Sequence, residues 1–451
     1  MMSKRRWWLP LLLGAVAAGG PVEAAWKAGV ARVDVTPTES IWMAGFAARK
    51  KPSEGVRTKL WVKALALEDE TGAKTVIVGS DLIGFRRDLA DRIAQRCQKQ
   101  FGVARARLLL NSSHTHSGPV FGAPSYYIAL EPAQAEVVRR YTDGLVEKVV
   151  AVVGQSLGKL EPATLEFRYG LAGFAVNRRR DRQGMRALPA PVDHDVPVLA
   201  VRGASGELRA VMFGYACHNT TLGDYQINGD YAGYAQAAIE SVYPGATAVF
   251  IEGCGADSNP LPRYHGTNPA LTRYSVELAQ MYGKILAAAV DLTLHEKMRP
   301  VTGPLNAALE PVDIPFQNPS REALDARAKG TDTLDRARAQ RMLQLIEREG
   351  KLPPTYPYAV QVLQFGRGLK LIALAGEVVV DYALRLKAQH GWEDTWVAGY
   401  SNDVFGYIPS LRVLKEGGYE TQGGVGGQFG AASEETIVEK VAALVKATEV
   451  N

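Results

Sequence analysis

Cysteine is scarce in this chain: Cys97, Cys217 and Cys254 are the only three in 451 residues. So small and odd a number excludes a fold stapled by disulfides, and a chain of this length can bury a core without them. Long apolar runs are just as scarce. Trp7 to Ala18 is too short to span a bilayer as a mature helix, and no second run approaches membrane length. Charge of one sign is nowhere concentrated. With no basic block and no basic–aromatic stripe, a nucleic-acid partner is not expected. Low-complexity tracts, internal repeats and linkers rich in Pro, Gly or Ser are also missing, so nothing divides the chain convincingly.

What is present begins with an export signature. Lys4-Arg5-Arg6 is a positive n-region, Trp7 to Ala18 the apolar segment, and Val22-Glu23-Ala24 offers small residues for processing. Residues 1–24 are read as a cleaved signal peptide and 25–451 as the mature catalytic domain, secreted or periplasmic. An uncleaved anchor is the alternative. Processing removes three positive residues and Glu23, taking the formal net charge from +5 to +3. A hydrophobic content of 47% is ample for a full core.

Strand-like and helix-like segments alternate. Thr75 to Ser80 is a buried-strand run ending at Asp81; Arg86 to Phe101 has helical periodicity; Arg107 to Leu110 is the next strand. The pattern recurs from Leu208 to Glu252 around a helix at Tyr231–Val242. It recurs again from Leu369 to Tyr400 around a helix ending near His390. Such βαβ crossovers are parallel and right-handed, so Asp81, His114, His218, Asp257, Glu377 and Tyr407 all fall at or beyond strand C-termini. In open α/β sheets that edge is where ligands bind. The fold class expected is α/β, with layered mixed and parallel sheets, flanking helices and an active site at the strand C-terminal ends. Trp26 to Glu68 reads as a strand-rich lead, Arg321 to Gly350 as a charged helical excursion. Tyr358–Phe365 with Leu369–Leu374 reads as a hairpin.

The most informative stretch is Asn111-Ser-Ser-His114-Thr-His116-Ser-Gly-Pro119, two imidazoles one residue apart directly after Leu108-Leu109-Leu110. Neutral imidazole is the commonest metal ligand, yet His-x-His alone is weak and needs partners. His114, His218, Glu377 and Tyr407 would form a nitrogen–oxygen set suited to Zn²⁺, and its oxygen-rich half also to Mn²⁺ or Fe²⁺.

These residues resemble the neutral (non-lysosomal) ceramidases, zinc amidases that hydrolyse the N-acyl bond of ceramide. The likeness starts at Gly29-Val-Ala-Arg-Val-Asp34-Val-Thr-Pro37 and Met43-Ala-Gly45-Phe46, continues through Val56-Arg57-Thr58, and is most specific at His114-Thr-His116-Ser-Gly-Pro119. The resemblance implies that His114 binds zinc and His116 faces the substrate, with Arg178 of Asn177-Arg178 at the site. It also implies zinc ligands at His218, ahead of Gly229-Asp230-Tyr-Ala-Gly-Tyr234, at Glu377 of Gly376-Glu377, and at Tyr407 of Ser401-Asn402…Gly406-Tyr407. Tyr419 falls where the family has another site tyrosine. Two departures stand. Gly255-Ala-Asp257-Ser258-Asn259-Pro260 aligns two ways with the family's Gly-Asp-Val-Ser-Pro-Asn, placing either Ser258 or Asn259 at the catalytic serine. The sequence also leaves no room for the family's C-terminal immunoglobulin-like domain.

The reaction so implied is a zinc-dependent hydrolysis of an N-acyl amide, with Ser258, His116, Arg178, Tyr419 and Asp257 as catalytic candidates. The partner is a small N-acyl substrate of sphingolipid type, which leaves contact with a membrane surface open. Two alternatives remain: hydrolysis of another ester or amide, and a catalytically silent ligand-binding homologue. Each residue also has a plainer reading. Glu377 opens a helix, where a carboxylate is favoured anyway; Ser258 beside Asn-Pro is ordinary turn chemistry; Asp257 could be a helix cap. His116 could simply orient His114. Cys217 and Cys254 lie in neighbouring strand-end loops, and two buried thiols are preferred over a disulfide. Asn111-Ser-Ser and Asn219-Thr-Thr match the glycosylation pattern, but these asparagines are expected to hydrogen-bond within their loops.

Overall fold

Side chains that alternate along each strand serve two cores at once, and this builds the layers. In Trp61–Asp69, Leu65 and Leu67 face one core while Val62, Ala64 and Ala66 face another; Leu109 and Leu108/Leu110 divide the same way. A computed structural model of the protein describes residues 25–450, apart from 124–127, 129, 182–189, 262–274 and 423–426. The export signature lies outside the described residues.

Two sheets dominate. The larger has nine strands, with Thr247–Glu252 and Leu208–Tyr215 at one end and Lys74–Ser80 and Leu108–Ser112 at the other. The smaller has five and contains Thr355–Phe365, Leu369–Leu374 and Thr395–Ala398. Leu65, Ile77, Leu109, Met212 and Ile251 from the first meet Leu363, Phe365, Leu371 and Trp396 from the second in a shared core. Helices Arg87–Phe101 and Pro132–Leu157, together with Asp230–Val242 and Val276–His295, cover the outer face of the larger sheet. Helices Val380–His390 and Ser433–Thr448 cover the outer face of the smaller. The result is helix, sheet, sheet, helix, as the alternation of segments led one to expect.

All three expected crossovers are present, and each is parallel. Lys74–Ser80 pairs with Leu108–Ser112, Leu208–Tyr215 with Thr247–Glu252, and Leu369–Leu374 with Thr395–Ala398. The hairpin Thr355–Phe365/Leu369–Leu374 is antiparallel and in the anticipated place. Single bridges Asn111–Ser401 and Gly253–Ala398 join the two sheets where their strands end, so the loops of all three units open onto one region. The excursion at Arg321–Glu349 forms two helices with a small core of their own, built from Leu324, Ala339, Met342 and Leu352. Among the described residues no helix is long and apolar enough to cross a membrane.

Candidate metal and active site

The strand Leu108–Ser112 delivers the His114-Thr-His116 loop, whose first histidine takes a left-handed backbone (φ 60°). Among the described residues three other non-glycine residues share that strained region: Asp230, which opens a helix, and Tyr400 and Asn402 in a strand-end loop. Backbone strain of this kind persists only where surrounding contacts over-determine it. Here they do. Asn111 donates through Nδ2 to the Gly399 carbonyl at 2.8 Å and accepts the Glu252 N–H at 2.8 Å. Asn219 donates to Ser113 O at 2.7 Å and to Glu252 Oε2 at 2.9 Å, while its own carbonyl receives His116 N–H at 3.1 Å. Both asparagines are wholly buried, as their expected role in the loops requires, and unsuited to a glycan. Burial pushes the Glu252 carboxyl well above its usual pKa.

Within this frame His114 and His218 are held alike. His114 Nδ1 lies 2.5 Å from the Ile83 carbonyl and His218 Nδ1 2.9 Å from the Gly255 carbonyl. A carbonyl can only accept, so each Nδ1 carries a proton and each Nε2 is the nitrogen left to face the site. Both Nε2 atoms then lie 3.3 Å from the same oxygen, Glu377 Oε2. Neither His218 Nε2 nor Glu377 Oε2 makes an aligned hydrogen bond. Burial, reinforced by Arg178, depresses the His218 pKa to about 4, so that ring is neutral at pH 7. Burial alone would raise the Glu377 carboxyl, but the imidazoles of His114 and His218 outweigh it and hold it well below the usual carboxylate range. Two imidazole Nε2 atoms and one carboxylate oxygen thus converge in a buried site, a donor set that a cation between them would satisfy.

His116 is different. Neither ring nitrogen has a hydrogen-bond partner, although the side chain is buried. Its ring packs edge-on against Phe46 at 4.7 Å and His114 at 5.0 Å. Burial, with His114 and His218 beside it, lowers its pKa well below the histidine value. His114, His116 and His218 offer nitrogens within 4.8 Å of one another, close enough to hold a metal ion. Two donor sets are therefore available, sharing His114 and His218 and differing in whether Glu377 or His116 completes them.

Tyr407 pairs with Glu377 in a short parallel ladder, stacks on the His218 ring at 6.4 Å and accepts Arg178 Nη2 at 3.1 Å. Arg178 is anchored by Nε on Glu420 at 3.0 Å, which occupies the charge that an anionic substrate group would need. Tyr419 lies against Tyr407 at 5.2 Å, partly exposed. Ser258 pairs across from Asn177 and gives its carbonyl to His218 N–H at 3.1 Å; its buried hydroxyl has no partner. The Asn259 side chain is within 3.4 Å of Thr220 Oγ1. Asp257 points into the scaffold: its carboxylate accepts Val380 N–H at 2.9 Å and Asn177 Nδ2 at 2.8 Å, capping a helix. Burial raises its pKa to about 6. Asp81 is likewise consumed by Trp61 N–H and Gln236. Cys97, Cys217 and Cys254 are free and buried.

Glu252, Tyr400, Arg49 and Glu420 were not singled out from sequence. Tyr400 sits 4.6 Å from the His114 ring and Arg49 binds the His116 carbonyl at 2.6 Å. Tyr400 and Glu420 adjoin the motif residues Ser401 and Tyr419, which was the available hint.

Residues 26–256 match the N-terminal part of the neutral/alkaline non-lysosomal ceramidases. The chain belongs to this family. Over 246 residues it is 23% identical to the neutral ceramidase of Drosophila melanogaster, covering 50% of this chain and 33% of the fly protein. Neutral ceramidase B of Dictyostelium discoideum is 22% identical over 226 residues, 47% of this chain and 31% of that protein. The match thus spans about a third of the length of each relative. The crystal structure of neutral ceramidase from Pseudomonas aeruginosa shares the fold, with a TM-score of 0.71 at 18% identity over 95% of this chain and 76% of that one. A ceramidase complexed with C2 gives 0.73 at the same identity and coverage. The ceramidase fold therefore embraces 95% of this chain.

Proposed function

We propose that this chain is an exported zinc-dependent amidohydrolase that cleaves the N-acyl bond of a ceramide-like amide, with residues 25–451 as its catalytic domain. The observation that carries the reading is the meeting of His114 Nε2 and His218 Nε2 on one oxygen, Glu377 Oε2, each at 3.3 Å. Two imidazole nitrogens, a carboxylate oxygen and the Tyr407 phenol oxygen suit zinc, and their fixed tautomers are those a metal ligand needs. His116 lacks a carbonyl anchor on either nitrogen, which favours Glu377 over His116 as the third ligand. When bound, zinc would polarise the acyl carbonyl and bring a water pKa down towards ~7.

The chain's own groups then have distinct work. His116 offers one ring N–H towards the carbonyl oxygen, where a preorganised donor counts most. The free hydroxyl of Ser258 supplies a nucleophile or proton relay, and it fits that role better than Asn259, whose side chain faces Thr220. Tyr419 lines the rim, Arg178 holds the Tyr407 oxygen, and Asp257 positions Ser258 by fixing Asn177 and the Val380 helix. A silent binding site has no cause to keep His116 and Ser258 buried and unpaired, so the catalytic reading is preferred.

Elemental analysis of dialysed protein, paired with a panel of fluorogenic amides and esters, tests the proposal. Wild type is expected to carry about one zinc per chain and to cleave long-chain amides. His114→Ala should lose the metal, and His116→Ala should keep it while losing turnover. Wild type without a transition metal, or His114→Ala at full rate, refutes it.

A further inference from the structure

The charge of Arg178 is paired. Glu420, wholly buried, takes Arg178 Nε on one oxygen at 3.0 Å and Arg179 Nη1 on the other at 2.6 Å. Arg179 is also held by Glu416 at 2.9 Å and by the Gly417 carbonyl. Glu416 in turn shares Arg412 with Asp381. Arg412 also lies 3.8 Å from Asp257, so among the described residues three guanidinium groups share a network with four carboxylates, in which Glu420 is the carboxylate that matches Arg178. Arg178 nonetheless stands beside the reacting region: its guanidinium is 5.5 Å from the Tyr407 ring and 5.7 Å from Tyr419. An acyl amide seated at Tyr407 lies within Coulomb range of it.

We propose that Glu420 sets the charge selectivity of the site: by neutralising Arg178 it admits uncharged N-acyl amides and turns away those whose amine half bears a carboxylate, such as N-acyl amino acids. The proposal rests on the amidohydrolase reading and deepens it. A carboxylate entering a buried site must trade its water for an uncompensated cation, and the Arg178 charge is already matched. Removing the Glu420 charge leaves Arg178 without the carboxylate that it pairs with. At roughly 6 Å and an effective dielectric of 20–40, that charge changes the preference between a neutral and an anionic ligand by about tenfold to a hundredfold.

The test uses N-dodecanoylethanolamine and N-dodecanoylglycine, nearly isosteric and differing by one carboxylate, both below their micelle concentrations. Their affinities for the metal-free protein are measured calorimetrically, and their hydrolysis by the zinc-loaded protein separately. Wild type should prefer the ethanolamide in both. Glu420→Gln should shift the ratio towards the glycine conjugate by at least about tenfold. Arg178→Gln combined with Glu420→Gln removes both charges of the pair, keeps the wild-type net charge and should return the ratio to within about threefold of wild type. An unchanged ratio in Glu420→Gln overturns the proposal, as does a double variant shifted as far as the expected single. If Glu420→Gln does not fold, the double variant decides alone: a wild-type ratio supports the proposal and a shifted one sinks it. Wild type that binds both amides yet cleaves neither counts against the amidohydrolase reading, whereas the binding ratio judges Glu420 by itself.

Discussion

Replacing Gly45 with alanine tests what His116 does without altering His116. A Cβ on Gly45 would stand 2.4 Å from His116 Cγ, 2.6 Å from Nδ1 and 2.8 Å from Cβ, where ordinary contact begins at 3.4 Å. The ring must therefore yield by roughly 1 Å. It has little room, because Phe46, His114 and His218 pack around it at 4.7, 5.0 and 5.6 Å between ring centres. Arg49 also ties its carbonyl to that of Ala44. Gly45 itself sits at φ +95°, a region other residues enter only under strain. Strain of about 1 kcal/mol with overpacking of about 1–3 kcal/mol gives a destabilisation of roughly 2–4 kcal/mol. A reacting group misplaced by ~1 Å loses on the order of a hundredfold in rate. Gly45→Ala should thus melt several degrees lower, keep its zinc, and show kcat/KM on a fluorogenic N-acyl amide reduced by about a hundredfold. Thermal melting, metal content and turnover on one preparation suffice. Full turnover would remove His116 from the reacting centre. Loss of zinc together with turnover would make His116 a ligand in place of Glu377.

Glu377→Gln should lower zinc affinity by more than the 10–100-fold typical of a ligand's supporting partners. Equal affinity would refute Glu377 as a ligand. Asp257 has a folded pKa raised to about 6, so the stability it contributes is fully present below its unfolded value near 3.8 and is lost as pH rises through about 6. Chemical denaturation between pH 4 and 7 should therefore show wild type falling relative to Asp257→Asn by roughly 3 kcal/mol, and parallel curves would contradict this. Thiol titration should find no reactive cysteine in the native protein and three in denaturant, given that Cys97, Cys217 and Cys254 are free and buried. Fewer than three on unfolding would mean a disulfide.

How much of this was legible in the sequence depended on whether a residue's role is local. The three crossovers were readable because Thr75–Ser80, Ala210–Tyr215 and Leu371–Leu374 are continuous buried runs, each followed by helical periodicity. His114, His218, Glu377 and Tyr407 could be placed at one edge because each directly follows such a strand. Glu252 and Glu420 were not legible, since what defines them is a partner far away in the chain. Glu252 gathers Cys217 N–H and Asn219, while Glu420 receives arginines more than 240 residues earlier. Asp81 and Asp257 also stand at strand ends, where sequence leaves a site role and a structural one open, and backbone N–H groups at Trp61 and Val380 bind them.

The strand edge therefore selects polar residues for two purposes that sequence position alone does not separate. Loops that end parallel strands leave backbone N–H groups unpaired, and buried carboxylates or amides must satisfy them. Asp81, Asp257, Asn111, Asn219 and Glu252 do so, and each has its donors and acceptors matched. The groups that remain unmatched include His116, Ser258, the Nε2 of His218 and the Oε2 of Glu377, with the hydroxyls of Ser113, Ser117 and Thr221 in the same neighbourhood. The His114 loop and the loop at Tyr400 and Asn402 hold left-handed backbone, strain that the scaffold's bonds sustain. Unsatisfied valence, rather than position at the edge, separates the groups that await a metal or substrate from those that hold the loops in place.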